Sequence, residues 1–318
     1  MKAAYYTEYG PPEVIQIKEL PIPVPEDNQV LVNVKATTIN RTDCGIRGGV
    51  YLVMKMITGL KAPNKKIPGT DFSGVVESVG SAVTNFKVGD KVFGFDDEGI
   101  ESQADYMAVK EKKTFPMPEG LSFEEAVACL EGVHYALNFM DKVNLKAGEK
   151  VLVYGSTGAI GSAVTQLMKY NGLHVTAVCD TPNIEKIKGL GPDRVIDYKV
   201  TDYWKEDVVY DYVFDAVGKS SFSTSKAVLS KKGVYISSEL GKNWENTYLS
   251  LITPLFGGKR VKFPLPRNVS RSIKTISKIV EEGGFMPLID KVYPFEEIVE
   301  AYKYVEKGFK VGNVVIKY

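Results

Sequence analysis

The sequence has few of the residues that bind metals or form disulfides. Its 318 residues include three cysteines, Cys44, Cys129 and Cys179, and two histidines, His134 and His174. An odd number of widely spaced cysteines argues against a disulfide framework and is typical of a reducing compartment. No CxxC or HxxxH spacing occurs, so a structural zinc site is not expected.

Long apolar runs and an excess of charge of one sign are also missing. No apolar run approaches the roughly 20 residues that a membrane-spanning helix needs. The net charge is +1, with Lys and Arg scattered along the chain, which favours neither a nucleic acid nor an anionic membrane surface as a partner. The first residues also lack the pattern of a signal peptide. We therefore expect a cytoplasmic protein with no membrane span and no nucleic-acid partner.

The sequence does contain a glycine-rich turn between a predicted strand and a predicted helix. The segment VLVYGSTGAIG covers residues 151–161 and places its glycines at three-residue spacing. A strand, a glycine turn and a helix N-terminus form the first half of a nucleotide-binding βαβ unit, in which backbone N–H groups meet the phosphates. The spacing is GxxGxxG instead of GxGxxG, and a glycine-rich surface turn is the alternative. The residues predicted to bind the cofactor here are Gly155, Ser156, Thr157, Gly158, Ala159, Ile160 and Gly161.

Strand and helix patterns divide the chain into a β-rich beginning and an α/β remainder. Short strands at the beginning predict an antiparallel barrel, and the alternation after the glycine motif predicts a parallel, doubly wound sheet. The SFEE sequence at 122–125 is a capping box, which predicts a helix start at Ser122. The predicted strands cover 14–17, 30–36, 74–79, 91–95, 104–109, 151–154, 174–179, 194–198, 212–218, 233–238 and 313–317. The other predicted helices cover 135–143, 162–170, 183–189, 222–229, 270–282 and 295–308.

Further segments carry a resemblance to a known family. They are ATTINRTD (36–43), IPGTDFSGVVESVG (67–80), VGDKV (88–92), GPDRVIDY (191–198), FDAVG (214–218) and KVGNVV (310–315). With the glycine motif, they are similar to the medium-chain dehydrogenases/reductases, specifically the zinc-less quinone oxidoreductase and enone reductase branch. The resemblance implies an α/β protein with a GroES-like β-barrel catalytic domain at 1–123 and 265–318. It also implies a doubly wound Rossmann nucleotide-binding domain at 124–264, with the cofactor in the cleft between the two domains.

The resemblance also implies that no metal is bound. In the zinc-dependent relatives a Cys stands at the position of Asn40, a His at that of Thr70 and a Glu at that of Asp71. Asn and Thr are poor zinc ligands, and residues 94–106 contain no cysteine, so the four-cysteine lobe of those relatives is missing as well. Without a metal to acidify an alcohol, alcohol oxidation is disfavoured. Reduction of an electron-poor acceptor remains feasible, because the nicotinamide carries the hydride.

Three residues are the candidates for the acceptor site. Asn40 can donate an amide N–H to the acceptor oxygen and thereby stabilise developing negative charge; a structural turn residue is the alternative. Asp43 can orient Asn40 or hold a local turn. Tyr51 resembles the aromatic residue that lines the substrate cleft in relatives. Its phenol can donate a proton or a hydrogen bond, although tyrosine is also common in protein cores.

The choice between NADH and NADPH depends on the end of the second predicted Rossmann strand. Asp180 lies nineteen residues after the last glycine of the motif, about the spacing at which an acidic residue bonds the adenosine ribose and repels a 2′-phosphate. The resemblance implies NADPH, but Pro182 stands where a basic residue is often found, so the sequence leans towards NADH. Lys186 and Tyr198 are the residues that would serve a 2′-phosphate. The resemblance places further cofactor contacts at the nicotinamide end, at Val217, Ser237 and Asn313.

The first functional hypothesis is an NAD(P)H-dependent, zinc-independent oxidoreductase that transfers hydride to a quinone or an α,β-unsaturated carbonyl compound. A non-catalytic NAD(P)H-binding protein with a structural or sensing role is the alternative, and a zinc alcohol dehydrogenase is a distant third. The glycine motif does not separate the first two, because both need it. The family further implies a homodimer, and apolar residues at 256, 263 and 265 indicate a small apolar acceptor.

Overall fold

The computed structural model describes residues 1–50, 55–56, 58–265 and 268–318, and these residues form two compact units. Unit 1 comprises Met1–Glu131, Val269–Glu281 and Met286–Tyr318. Unit 2 comprises Gly132–Asn268 and Glu282–Phe285. Each unit contains a sheet and a buried apolar core of its own.

The regular elements of the described residues are numbered here in chain order. The strands are β1 (Lys2–Tyr5), β2 (Gln16–Glu19), β3 (Gln29–Ile39), β4 (Asp71–Val79), β5 (Lys91–Phe95), β6 (Tyr106–Lys110), β7 (Phe115–Pro116), β8 (Lys150–Tyr154), β9 (His174–Cys179), β10 (Arg194–Asp197), β11 (Tyr210–Asp215), β12 (Leu229–Ser237), β13 (Arg260–Lys262), β14 (Ile289–Pro294) and β15 (Asn313–Lys317). The helices are α1 (Arg41–Gly48), α2 (Phe123–Ala128), α3 (Glu131–Met140), α4 (Ala159–Tyr170), α5 (Ile184–Lys188), α6 (Phe222–Ser225), α7 (Glu245–Ile252), α8 (Val269–Glu281) and α9 (Ile298–Glu306). In this described part of the chain, no helix is both long and apolar enough to cross a membrane.

Unit 2 is built on a parallel sheet whose described strands run in the order β10-β9-β8-β11-β12-β13. Every adjacent pair in this order is parallel. A parallel sheet is covered on both faces, which explains its nearly continuous apolar strands; Leu152, Val213 and Tyr235 on three of them are fully buried. The chain proceeds from β8 first to one side and then, from β11 onward, to the other. The predicted doubly wound sheet is thus confirmed, and its strand order reverses at β8, the position at which such sheets bind ligands.

Unit 1 contains a sheet in the order β14-β15-β3-β4-β5-β7, in which β6 also pairs with β3. The pairs among β3, β4, β5, β6 and β7 are antiparallel, as the short strands at the start of the chain predict, whereas β14 and β15 are parallel. β15 pairs antiparallel with β3, through registered residues such as Val314 and Ile39, both of which are buried. The last strand of the chain therefore completes the sheet that the first part of the chain begins.

Helix α9 covers one part of this sheet with an apolar face. Ile298, Ala301, Tyr302 and Val305 recur at three- and four-residue spacing and are all buried. The one polar atom that this face brings inside, the Tyr302 hydroxyl, donates to Gln103 Oε1 at 3.0 Å. The buried phenol therefore has the hydrogen-bond partner that burial requires.

The helix start predicted at Ser122 is confirmed. Glu125 N donates to Ser122 Oγ at 3.2 Å, and Ser122 N donates to Glu125 Oε2 at 2.8 Å. This reciprocal pair satisfies two backbone donors at the start of α2. The local sequence alone was sufficient here, because both partners lie within one turn.

Several predicted elements differ in their bounds from the structure, and two of these differences have a clear physical reason. The helix predicted over 222–229 ends at Ser225, and Leu229 already belongs to β12, where it pairs with β11. The strand predicted over 14–17 starts only at Gln16, because the preceding residues form a short 3-10 turn with a proline at its first position. In the first case a long-range strand pairing overrides the local helical pattern.

Candidate functional site

A strand, a glycine turn and a helix in unit 2 form a cradle suited to a phosphate group. β8 ends at Tyr154, and Gly155 follows with a φ of +82°, a conformation that residues with a Cβ rarely adopt. Gly158 N donates to Gly155 O at 3.1 Å and closes the turn. Gly158 is also the N-cap of α4 and provides no side-chain cap. The first N–H groups of α4 have no intrahelical acceptor, so they are the donors that a phosphate would take.

The absence of side chains at two glycines gives this cradle its shape. A Cβ on Gly161 would overlap the carbonyl oxygen of Gly155, so only glycine allows α4 to lie this close to the turn. A Cβ on Gly158 would meet only Gly155 O, at 3.7 Å, so the space in front of the helix N-terminus is open. Open space, free donors and the positive end of a 12-residue helix together fit a dinucleotide phosphate.

Ser156 is tied inward, away from the open side of the cradle. Its Oγ donates to Val153 O at 2.9 Å and accepts from Val178 N at 3.2 Å, and its own N–H donates to Val178 O at 3.1 Å. The side chain is fully buried. Ser156 therefore joins β8 to β9, and the phosphate contacts predicted for this segment stay predictions.

Asp180 follows β9 directly, in the position for which the sequence predicted a ribose contact. Asn183 Nδ2 donates to Asp180 Oδ1 at 2.7 Å and holds the carboxylate beyond the strand end. Tyr198 N donates to Cys179 O at 3.0 Å, which brings Tyr198 to the same end of the sheet, with 46% of its side chain exposed. An acidic group and an accessible phenol thus lie at the carboxyl ends of neighbouring strands.

The loop after β11 is organised by one buried carboxylate. Asp215 accepts hydrogen bonds from Val217 N at 3.1 Å, from Gly218 N at 2.8 Å and from Ser220 N at 3.0 Å. The Tyr235 hydroxyl adds a fourth donor at 2.9 Å. Charge-assisted bonds of this kind are strong, so the backbone at Val217, one of the predicted cofactor contacts, is held in a fixed conformation.

Ser237 and Asn313, the other residues predicted at the nicotinamide end, both have partners inside the protein. Ser237 ends β12, and its Oγ accepts from Glu239 N at 3.2 Å. Asn313 begins β15 in unit 1, where its Nδ2 donates to Ala128 O at 3.2 Å and to Leu288 O at 3.1 Å. Both amide hydrogens of Asn313 thus have acceptors in unit 1, and the predicted contacts of the two residues with a cofactor stay predictions.

Asn40 is the N-cap of α1 in unit 1. Its Oδ1 accepts from Asp43 N at 2.8 Å, and Asp43 Oδ2 accepts from Asn40 N at 3.1 Å, so the two residues form a capping box. Asn40 Nδ2 donates to Thr70 Oγ1 at 2.9 Å, and the side chain is 3% exposed. These bonds match the alternative interpretation, in which Asn40 is a structural turn residue. One N–H of its side-chain amide takes no part in them.

Unit 1 also buries the carboxyl groups of Asp43 and Asp71. Asp71 accepts from Thr37 Oγ1, from Thr38 N and from Thr38 Oγ1, yet burial raises its pKa to about 6. Burial, followed by the nearby charges of Asp71 and Glu131, raises the pKa of Asp43 well above its usual range. The raised pKa favours the protonated form of the Asp43 carboxyl.

Comparison with known proteins assigns this geometry to a family. Residues 26–119 match the family model of the alcohol dehydrogenase GroES-like domain, and residues 190–316 match that of the zinc-binding dehydrogenases. A 2-methylene-furan-3-one reductase of Solanum lycopersicum is 30% identical, over 99% of this chain and 79% of that protein. The chain is a medium-chain dehydrogenase/reductase.

This medium-chain dehydrogenase/reductase belongs to the quinone oxidoreductase and enone reductase branch. An NADPH-dependent alkenal/one oxidoreductase of Arabidopsis thaliana is 30% identical, over 99% of this chain and 79% of that protein. The solved structure of a quinone oxidoreductase from Coxiella burnetii superposes with a TM-score of 0.88 at 27% identity, covering 100% of this chain and 99% of that one. The predicted fold class, a GroES-like β-barrel domain with a doubly wound Rossmann domain, is confirmed.

Sequence reasoning missed a buried acid and base of this dehydrogenase/reductase. Thr42 Oγ1 donates to Glu131 Oε1 at 2.7 Å, and burial raises the pKa of Glu131 to about 8. Lys310 Nζ donates to Gly312 O at 2.6 Å, and burial lowers the pKa of Lys310, although the nearby Glu131 opposes that shift. Neither residue stands in a local pattern that marks it, because the fold brings them together from distant parts of the chain.

The structure places two of the three predicted acceptor-site residues together and leaves the third open. Asn40 and Asp43 share the capping box, whereas Tyr51 lies outside the described residues and its role stays a prediction. In the described ranges, no group of three or more His, Cys, Asp or Glu side chains is arranged to hold a metal ion. Asn40 instead bonds Thr70, at two of the positions where the zinc-dependent relatives carry ligands.

We expect the free energy of unfolding to fall as pH rises from about 5 to about 8. The folded-state pKa of Glu131 is raised, so the folded protein keeps a proton that the unfolded chain loses over this interval. The decline from one such group is at most about 1.4 kcal/mol per pH unit. Glu131→Gln removes this titration and keeps an acceptor for Thr42, so its stability should change less with pH in urea unfolding experiments.

Glu119→Gln serves as the control, because Glu119 is an exposed residue of the same unit. This variant should follow the pH dependence of the original protein. If the free energy of unfolding of Glu131→Gln changes with pH as steeply as that of the original protein, the buried acid is not what makes stability depend on pH.

Proposed function

We propose that this chain is an NAD(P)H-dependent reductase of quinones or α,β-unsaturated carbonyl compounds. The observation that carries the proposal is the open phosphate cradle at residues 155–161, with its uncapped helix N-terminus. The names of the relatives support the acceptor class, since they include an alkenal/one oxidoreductase of Arabidopsis thaliana and a quinone oxidoreductase of Rattus norvegicus. A bound nicotinamide would supply the hydride.

The residues of unit 2 have a binding and positioning role in this proposal. The backbone N–H groups at the start of α4 bind the phosphates, and Asp180 accepts a hydrogen bond from a ribose hydroxyl. Asp215 keeps the loop at Val217 in one conformation through its bonds to backbone N–H groups. A loop that is fixed before the cofactor binds loses little conformational entropy on binding.

In unit 1, Asn40 and Tyr51 are proposed to donate hydrogen bonds to the acceptor oxygen. Asn40 Nδ2 gives one hydrogen to Thr70, and the second is the one available to an acceptor. A donor of this kind stabilises the negative charge that forms on the oxygen during reduction. Asn40 and Thr70, which hydrogen-bond each other, are poor zinc ligands, and we propose that the reaction is zinc-independent.

Steady-state oxidation of NAD(P)H with a panel of quinones and enones tests the proposal. We expect turnover with at least one acceptor class. Gly161→Ala should weaken nucleotide binding about tenfold or more, because the added Cβ would overlap Gly155 O. Gly258→Ala is the matched control, since a Cβ there meets no atom within 4 Å.

The rival function is a nucleotide-binding protein with a structural or sensing role and negligible turnover. Silence across the whole panel, with nucleotide binding shown by fluorescence titration, would favour this rival and refute the reductase proposal. Stoichiometric zinc in the purified protein, together with alcohol oxidation, would revive an alcohol dehydrogenase instead.

For the cofactor itself, we propose a preference for NADH. The supporting observation is Asp180, which stands at the carboxyl end of β9 and is held there by Asn183. Its negative charge would repel the 2′-phosphate of NADPH. The Arabidopsis thaliana relative is named NADPH-dependent. We therefore expect the two proteins to differ in cofactor preference because of the residue at this position.

We expect NADH to bind about tenfold more tightly than NADPH, and Asp180→Ser to reduce or reverse this ratio. Serine keeps a hydroxyl for the ribose and removes the charge that repels the phosphate. Asp207→Ser is the control, because it removes an exposed carboxylate elsewhere in unit 2. Tighter binding of NADPH than of NADH to the original protein would show that the assignment of Asp180 is wrong.

We also propose a cytoplasmic homodimer that forms through unit 2. Helix α7 and the turn after it expose large apolar side chains: Leu251 is 76% exposed, and Leu255 and Phe256 are each 80% exposed. Contiguous apolar exposure of this kind marks an interaction surface, and β13 ends the sheet beside it. The free thiols of Cys44, Cys129 and Cys179 suit a reducing cytoplasm.

Sedimentation velocity measures the predicted assembly. The original protein should sediment with twice the mass of the chain, and the double variant Leu255→Glu with Phe256→Glu should sediment as a monomer, because two charges on that face cannot be buried without partners. Val24→Glu, on an exposed residue of unit 1, is the control. A monomeric original protein at high concentration contradicts the proposal.

A further inference from the structure

A cavity of about 150 Å³ lies inside unit 1. Its walls combine apolar side chains, among them Ile46 of α1, Pro63 and Ile67, with the polar side chains of Thr58, Asn64, Lys65 and Glu98. The side chains of Tyr6 and Asp43 line the same space. An apolar cavity of this volume, engineered into another protein, takes up a benzene ring, so the space suits a molecule with one small ring.

The Asp43 carboxyl has one oxygen in use and one without a partner. Oδ2 accepts from Asn40 N at 3.1 Å, while Oδ1 is buried and has no hydrogen-bond partner among the described residues. The side chain is 2% exposed. An unpaired buried polar atom is costly unless a ligand satisfies it, and this atom belongs to a residue that lines the cavity.

Burial, followed by the charges of nearby acids, favours the protonated form of the Asp43 carboxyl. Tyr6, Cys44 of α1 and Tyr302 of α9 face the region, and burial raises the pKa of each. Arg47 is a positive charge near this region, and its guanidinium donates to a backbone carbonyl and pairs with Glu306. Together with the acids Asp71 and Glu131, this setting disfavours ionised Asp43.

The unpartnered Oδ1 of Asp43 and the phenol of Tyr6 both line the cavity. In the protonated forms that burial favours, both groups can donate an O–H hydrogen, which complements an uncharged acceptor such as a carbonyl oxygen. Lys65 and Glu98 also line the cavity, and Lys65 donates to Gly99 O.

We propose that this cavity binds the carbonyl end of a small acceptor, with Asp43 Oδ1–H donating a hydrogen bond to the carbonyl oxygen. The inference rests on the proposed function and narrows it to acceptors with one small ring or a short chain. The backbone N–H of Asn40 then positions Asp43 by holding Oδ2. The donated bond strengthens as the oxygen gains negative charge during reduction, which is how such a donor accelerates the reaction.

Binding of cyclohexanone to the nucleotide-free protein tests the site without turnover. Saturation-transfer NMR titration should show saturable binding to the original protein. Ile67→Phe fills the cavity and should weaken that binding about tenfold or more. Ile17→Phe makes the same change on an exposed strand residue and should bind as the original protein does.

Two further variants test the hydrogen bond itself. Asp43→Asn keeps an N–H donor toward the cavity and an oxygen for Asn40 N, so its affinity should stay within about threefold of the original. Asp43→Leu removes the donor and should lose about tenfold. Melting temperatures report whether each variant folds. If Asp43→Leu does not fold, the cyclohexanone affinity of Ile67→Phe tests the cavity assignment in its place. Unchanged cyclohexanone affinity in Ile67→Phe overturns the proposal.

Turnover of 2-cyclohexenone with NAD(P)H separates the failure of this inference from the failure of the proposed function. If the enone is reduced and Ile67→Phe leaves its KM unchanged, the cavity assignment is overturned while the reductase function stands. If Ile67→Phe weakens cyclohexanone binding but no acceptor is reduced, the cavity is a carbonyl-binding site and the reductase proposal fails.

Discussion

The nucleotide cradle depends on the contact between Gly161 of α4 and the carbonyl oxygen of Gly155. A single added methyl group would separate the helix from the turn. Because the two backbones are in contact, the unpaired N–H groups at the start of α4 lie next to the end of β8, where the strand order of the sheet reverses. The hydrogen bonds of the Ser156 side chain connect β8 to β9 and stabilise the turn as well. The site therefore rests mainly on backbone atoms.

The candidate site of unit 1, in contrast, is formed by buried acidic side chains. Asp43, Asp71 and Glu131 all have raised pKa values, with burial as the main cause. A neutral acid donates a hydrogen bond without carrying charge, which suits a place from which water is excluded. The protonated form that burial favours at Asp43 and Glu131 is a donor of this kind, and it fits the acceptor reduction proposed above.

Much of the fold and part of the site were predictable because their determinants are local. The glycine motif and the capping box at Ser122 each lie within a few residues, so sequence spacing reveals them. The end of α6 depends on strand pairing at Leu229, and the inward bonds of Ser156 depend on β9. The raised pKa of Glu131 depends on burial among residues far along the chain. Such features arise from tertiary packing, which no local pattern contains.

The pairing of β15 with β3 has a consequence for how the protein is made. On the ribosome, β3 emerges before unit 2 is translated, whereas its neighbour β15 emerges after it. Unit 2 is almost continuous in the chain, so its sheet can close while the first sheet still has an open edge. An open edge between translated strands invites pairing with other chains. The order of synthesis thus lets unit 2 fold before the sheet of unit 1 gains β15.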